Sequence, residues 1–521
     1  MLKPGTIEVN GGQCATEIAG VMFAKPAQAV AAAGPIPDAA TRNACKLCAP
    51  LGACVVFSGL AGCVPFLHGS QGCATYIRRY LISHFREPVD IGSSSFSEEE
   101  TVFGGARNLQ AGLANIARQY HPTSIGVATT CLAETIGEDV PRILEAFTRS
   151  AEATAPPLIH VSTPSYAGTH MDGFHAAVLS VVQRFAKVAP QHGGINLLPG
   201  FVSPEDLRHL KELMEALGLS ATLLPDYSDT LDGQTWSEYQ RIQAGGTTLE
   251  AITQMPGARA TFEFGRALAT KPRTAASWLE KQFNVPRVRL GLPIGLRETD
   301  GFFGELERVS GKRFPDPFYV ERGRLIDAMV VGHKYLFGKR AALYGDADLV
   351  VGLASFLDEI GIQPVLCATG ARLRSADITV RSNVELGQDD GNPISPLEDE
   401  HCRGQECPRS QPGGFETLLR EVVTDADTSG WVVLEGADHA QIAERARRLK
   451  PDLLLGSSKG YPVARELGVP LVRVGFPIHD RIGGQRVLHL GYRGAQRLLD
   501  QIVNTLLERR QDDSGVGYSY L

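Results

Sequence analysis

Ser124-Ile125-Gly126-Val127-Ala128-Thr129-Thr130-Cys131-Leu132-Ala133-Glu134 joins a short apolar run to a cysteine. A run of this length, rich in Ile, Val and Thr, reads as a buried strand that feeds a loop. The pattern recurs at 63–67, 157–162, 195–198, 259–264, 340–344, 364–368, 431–435, 452–456 and 470–475. Between these runs lie helical patterns at 204–217, 347–360, 440–449 and 495–510. Strand alternating with helix implies parallel sheets covered on both faces, so the predicted class is α/β with doubly wound, Rossmann-like domains. At 521 residues the chain exceeds one ordinary core. It divides into three such domains: 1–190 with an amino-terminal leader, 191–335 and 336–521.

Parallel sheets carry functional residues in loops at the carboxyl ends of their strands. Cys131 follows the 124–130 strand, and Cys73, closing His68-Gly69-Ser70-Gln71-Gly72-Cys73, follows the 63–67 strand. Ser165, in Thr163-Pro164-Ser165-Tyr166-Ala167-Gly168, follows a third strand, and Cys48 opens Cys48-Ala49-Pro50-Leu51-Gly52. Thiolates presented from such turns are soft, anionic ligands suited to iron, which is how iron-sulfur clusters are held. A lone cysteine is otherwise a small buried hydrophobe, and that is the reading for Cys14, Cys54, Cys63 and Cys367. Cys45 is a further thiol three residues before Cys48 and an alternative ligand to it. His401, Cys402 and Cys407, in the polar stretch 375–414, lack the fourth ligand of a zinc site.

Composition excludes several classes of function. A net charge of -7 gives no clustered cationic excess for nucleic acid. Ten cysteines in a chain this long are too sparse for a disulfide scaffold, so reduced thiols and a cytoplasmic location are expected. The first ten residues show no basic region followed by an apolar stretch, and the Ala-rich run 27–33 is too short for a bilayer. Residues 27–40 read as a leader lying over the surface.

His68 to Cys73, Phe103-Gly104-Gly105, Thr129 to Glu134, Thr163 to Gly168, Gly345-Asp346-Ala347-Asp348 and Gly475-Phe476-Pro477-Ile478 together resemble, in order, the β-type subunit of nitrogenase component 1. The resemblance implies that Cys48, Cys73 and Cys131 hold half of an eight-iron P-cluster, [8Fe-7S], shared with an α-type subunit. It also implies that Ser165 is a redox-dependent ligand. Tyr76 matches a position near the cluster and Phe103 one on a docking face, although both fit ordinary packed aromatics. The remaining circuit is likewise implied: an ATP-dependent iron protein supplies electrons, a large iron-sulfur catalytic cofactor sits in the α-type subunit, and two copies of each chain form a heterotetramer. No catalytic residue is expected here, and no Gly-x-x-x-x-Gly-Lys-Ser/Thr phosphate loop is present, which assigns the nucleotide to the partner.

The resemblance covers several activities, because a shared fold does not fix the substrate. An assembly scaffold is disfavoured by the three thiols plus Ser165. A molybdenum nitrogenase is disfavoured by the Ala-Pro leader and by an incomplete oxygen-ligand cation site between β-type copies. Asp327 and Glu87 match carboxylates of that site, but Val331 stands where another is expected. The expected activity is therefore that of a nitrogenase-like methylthio-alkane reductase, which releases methanethiol and a hydrocarbon. The alternatives are a nitrogenase β subunit and a non-catalytic scaffold.

Overall fold

A computed structural model describes residues 43–150, 155–373, 414–424, 428 and 430–515. The leader, Cys14, His401, Cys402 and Cys407 lie outside the described residues.

Three parallel sheets account for the architecture. The first runs β2(Gly92–Ser93), β1(Cys63–His68), β3(Ser124–Thr129), β4(Leu158–Val161); the second runs β6(Ala221–Leu223), β5(Ile195–Leu198), β7(Thr261–Phe264), β8(Arg287–Leu290). The third has the order β11(Val432–Leu434), β10(Gln363–Thr369), β9(Arg340–Gly345), β12(Leu453–Gly456), β13(Leu471–Arg473). Every pairing is parallel, as in β1 with β3, where Cys63 lies opposite Ser124 and His68 opposite Thr129. The α/β class read from the sequence holds, and each strand expected there is present. The short strands β2 and β6 and the strand β8 are additional.

Burial explains why β1 and β3 read as unbroken apolar runs. Both are buried at every position, because helices cover both faces of the sheet. Phe66, Ile125 and Val127 face one side and pack with Leu109, Leu113 and Phe147. Leu67 and Ala128 face the other side, in a core that continues through the second and third sheets. From Asn43 onward the described residues therefore form one compact unit. Packed against this core, Phe476 lies 4.7 Å from the His84 ring, 5.1 Å from Phe201 and 6.2 Å from His170, joining segments distant in sequence.

Helices α1(Ala49–Ser58), α2(Gln71–Phe85), α3(Glu98–Phe103), α4(Ala106–Tyr120), α5(Cys131–Thr135), α6(Val140–Ser150) and α7(His170–Phe185) surround the first sheet. The helix α1 is almost wholly apolar and buried. It crosses α7 backbone to backbone. A Cβ on Gly52 would lie 1.8 Å from the His170 carbonyl oxygen, and one on Gly173 would lie 1.9 Å from that of Ala49. A main-chain oxygen held in a helix cannot swing aside as a side chain would. Gly173→Ala should therefore force the helices apart and lower stability by about 1–3 kcal/mol, the usual cost of overpacking. Chemical denaturation of the purified protein checks this, with Gly304→Ala, on an open helical surface, as a control expected to be slightly stabilising.

Candidate functional site

Each of the three cysteines stands at a helix start. Cys48 is the N-cap of α1, Cys73 lies in the first turn of α2, and Cys131 is the first residue of α5. The sequence reading placed them in turns; the turns end one to three residues earlier, because Gly69-Ser70 and Thr130 already redirect the chain into helix. Backbone N–H groups at helix starts lack intrahelical partners and favour negative charge, which suits a thiolate.

Two turns from the sheet are held close together. The Thr130 amide donates to the His68 carbonyl oxygen at 3.0 Å, so the loops leaving β1 and β3 run side by side. Gly69 has φ +146°, and a Cβ there would lie 1.8 Å from Thr130 Oγ1. Only glycine fits such an approach at this backbone angle. The loop after β4 closes on the same point: the Ser165 amide donates to Cys131 Sγ at 3.2 Å, and Ser165 Oγ accepts from the Ala49 amide at 3.2 Å. Ser165 thereby touches both the Cys131 thiol and the helix opened by Cys48.

No strand delivers Cys48, so its placement depends on contacts that sequence periodicity does not encode. The Cys45 amide donates to Ala437 O at 3.0 Å, and Lys459 Nζ donates to Ala44 O and Lys46 O at 3.1 and 3.3 Å, which moors the segment to the third sheet's side. On its other side the Leu47 amide donates to His170 Nδ1 at 3.3 Å, and His170 N donates to Leu47 O at 3.0 Å. The His170 Nε2 lies 3.1 Å from Asp346 Oδ1. Asp346 belongs to the Gly345-Asp346-Ala347-Asp348 motif, so this motif helps set the position of Cys48.

The thiols affect one another electrostatically. Burial first, then the neighbouring Cys48 and Cys131, push the Cys73 thiol above its ordinary range. Three anionic sulfurs in this arrangement repel one another unless a cation holds them, and metal coordination reverses that penalty. Among the described residues no group of three or more His, Cys, Asp or Glu is spaced to hold a single metal ion.

The other cysteines differ in kind. Cys54, Cys63 and Cys367 are fully buried, and burial pushes the Cys63 thiol up to about 12 and the other two higher still. They are core residues. Cys45 packs with Tyr344 and Leu366 under the third sheet, and burial followed by Asp346 pushes its thiol up to about 12. All seven described cysteines are free thiols.

The two aromatic residues singled out in the sequence are both on the surface. Tyr76, one turn beyond Cys73 on α2, is 64% exposed, and Phe103, ending α3, is 84% exposed beside Val102 at 74%. Packed core aromatics would be covered, so the ordinary packing explanation fails for both. Glu87 is half-buried after α2, whereas Asp327 and Val331 are exposed on the helix Asp316–Leu336.

Two features were not foreseen in the sequence. One is a cavity of about 350 Å³, bordered by Asp172, His175, Lys271, Asp348 and Arg372 and reaching Cys45 and Lys46 just before Cys48. The other is a buried network in which His68 faces Glu138 and Ser94. Neither follows a short motif, because each joins residues from separate loops.

Comparison with known proteins identifies the scaffold. The family described as nitrogenase component 1 type oxidoreductase matches residues 48–507. The nitrogenase molybdenum-iron protein beta chain of Clostridium pasteurianum is 34% identical over 470 residues, covering 90% of this chain and 93% of its own. The nitrogenase vanadium-iron protein beta chain of Trichormus variabilis is 32% identical, with 88% and 92% covered. A solved structure titled "Nitrogenase Cp1 at pH 6.5" superposes with a TM-score of 0.81 at 32% identity, covering 94% of this chain and 98% of that one. With Cys48 opening the matched region and relatives alike over nearly their whole length, this chain belongs to the nitrogenase component 1 oxidoreductase family, among its β-type chains.

Proposed function

We propose that this chain is the β-type subunit of a nitrogenase-like reductase and relays electrons. Cys48, Cys73 and Cys131 would hold its half of a P-cluster-type [8Fe-7S] cluster, with Ser165 as an added, redox-dependent donor. The observation that carries this reading is the convergence of three thiols from three helix starts, close enough to raise the Cys73 pKa, in a chain of this family. The bound cluster would accept and release electrons.

The chain's own residues orient, shield and tune. Gly69 lets the Cys73 turn approach Thr130, and the Ser165 amide directs a hydrogen bond at the Cys131 sulfur, an interaction that shifts the potential of a thiolate-bound centre. Cys48 is exposed in the single chain, which supports a site completed by an α-type subunit. The exposed Val320, Val330, Val331 and Phe337, on or just after the helix Asp316–Leu336, offer apolar surface for assembly into a two-plus-two heterotetramer. Phe103 and Val102 would dock the ATP-dependent iron protein, and Tyr76 lies on the same side of α2 as Cys73. The large catalytic cofactor would sit in the α-type subunit. Among the described residues no helix is long and apolar enough to cross a membrane, and the free thiols support a cytoplasmic setting. We also divide the chain into three doubly wound domains with limits near 190 and 335, a reading supported by the presence of three separate parallel sheets.

For the substrate we favour reductive carbon-sulfur cleavage of methylthio-alkanes, on the Val331 departure and the Ala-Pro leader. A second reading, dinitrogen reduction, is favoured by the names of the similar β chains. Assaying the purified complex for dinitrogen reduction against hydrocarbon release from a methylthio-alkane decides between them. Release of methanethiol and hydrocarbon without ammonia is the expected result.

Replacing Cys73 or Cys131 with Ala should lower iron content, the cluster's paramagnetic signal and turnover together. Full iron occupancy in both variants would remove them from the ligand set.

Ser165→Ala should preserve iron in the reduced complex while shifting its oxidation titration. An unchanged titration would leave Ser165 as the acceptor for the Ala49 amide and nothing more.

Phe103→Ala should raise the half-saturating concentration of the iron protein by about tenfold, as loss of a buried aromatic contact does, without changing the product ratio. Wild-type half-saturation with normal metal content would clear Phe103 of any docking role.

A further inference from the structure

We propose that Glu138 is a positioning residue that, through His68 and the Gly105 amide, ties the exposed turn after Phe103 to the turn carrying Cys73. The proposal rests on the reading of Phe103 as the docking face.

The link is continuous. Gly104 ends α3 directly after Phe103, and Gly105 is the N-cap of α4. The Gly105 amide donates to Glu138 Oε1, and the other carboxylate oxygen, Oε2, faces His68 Nε2. His68 is fully buried, and its Nδ1 lies 3.0 Å from Ser94 Oγ. That hydroxyl accepts the Gly69 amide at 2.8 Å. Gly69 begins the turn into α2, where the Cys73 amide donates to Ser70 O at 3.1 Å. The His68 carbonyl also receives the Thr130 amide, next to Cys131. One imidazole is thus fixed to the docking turn by its ring and to both cysteine turns by its backbone and by Ser94.

A packing contact runs beside the polar one. The Phe96 ring meets His68 edge-on at 4.9 Å, and its amide donates to Gly69 O at 2.9 Å. A Cβ on Gly105 would lie 2.1 Å from the same ring. A shift of Gly105 therefore presses on Phe96 and pulls on Glu138 at once. Closely packed interiors transmit such displacements because little free volume absorbs them.

The neighbouring carboxylate is engaged elsewhere. Glu134, from the same loop region, is taken by Thr129 Oγ1 and by Ser162 Oγ at 2.6 Å. Burial works to raise the Glu138 pKa, but the His68 ring and the Gly105 amide outweigh it and hold the group below its usual range. A charged group kept inside at a desolvation cost is a weak source of stability, and its best-attested use is to specify one arrangement.

Hydrogen exchange in the complex with the α-type subunit tests this directly. Docking the iron protein should slow exchange in peptides covering 103–106 and also in 69–76. In Glu138→Gln the slowing at 69–76 should fall by about threefold or more, the size of such a coupling, while that at 103–106 and the iron content persist. Turnover at saturating iron protein should drop by a similar factor with half-saturation unchanged. Ser94→Ala, which opens the other end of the link, should reproduce the exchange result. Undiminished slowing at 69–76 in both variants overturns the proposal, as does loss of iron in Glu138→Gln, which would make the pair a support of the cluster site. Slowing at 103–106 alone in the parent complex overturns the link but leaves docking intact. No slowing at 103–106 removes the docking face, and the link with it.

Discussion

The crossing of Ala49–Ser58 over His170–Phe185 governs where the site can form. Gly52 and Gly173 bring the two helices into main-chain contact, and this draws the start of the first helix onto the loop that ends at the start of the second. The Ala49 amide then reaches Ser165 Oγ, and the Leu47 amide reaches His170. Cys48, one residue before Ala49, has no strand to position it. It lies beside the other thiols because two glycines remove the side chains that would hold the helices apart.

Once that contact is made, the parallel sheet supplies the remainder. Cys73 and Cys131 issue from neighbouring strands whose register sets His68 opposite Thr129, so their loops begin level with one another. The twist and pleat of such a pair are generic, but the Gly69 conformation is not. It allows the backbone to pass Thr130 where any side chain would collide. The same region holds a carboxylate, an imidazole and hydroxyls with few solvent contacts. Buried polar groups of this kind are stable only when each finds a partner, and here Glu138, His68 and Ser94 satisfy one another.

The fold was legible because buried parallel strands announce themselves as short apolar runs. Strand β8, Arg-Val-Arg-Leu, escaped that reading: Arg287 is buried against Glu263 rather than apolar, so the run is broken by charge although the backbone is extended. Strand β2 spans only two residues, and periodicity has nothing to act on. At the site, Cys73, Cys131 and Ser165 were visible as residues following strands. The mooring of Cys48 through Ala437, Lys459 and His170 was not, since those partners are more than a hundred residues away in sequence. The His68 and Glu138 pair was hidden for a similar reason. Each residue alone is an ordinary polar residue at a strand or loop end.

The proposed division of labour between chains accords with the same geometry. The molybdenum-iron and vanadium-iron beta chains match this one at 34% and 32% identity, so the likeness does not track the metal in the relatives' names. Such indifference is expected of a chain whose thiols meet at one end of the first sheet and whose proposed docking residues, Val102 and Phe103, are exposed. On the relay role proposed above, its constraints would be those of holding a group rigidly and passing electrons, which any downstream chemistry shares. Selection for a substrate would act on the surfaces that touch it. In this chain the strongest geometric constraints, Gly52, Gly173, Gly69 and the Glu138 link, all converge instead on the thiols.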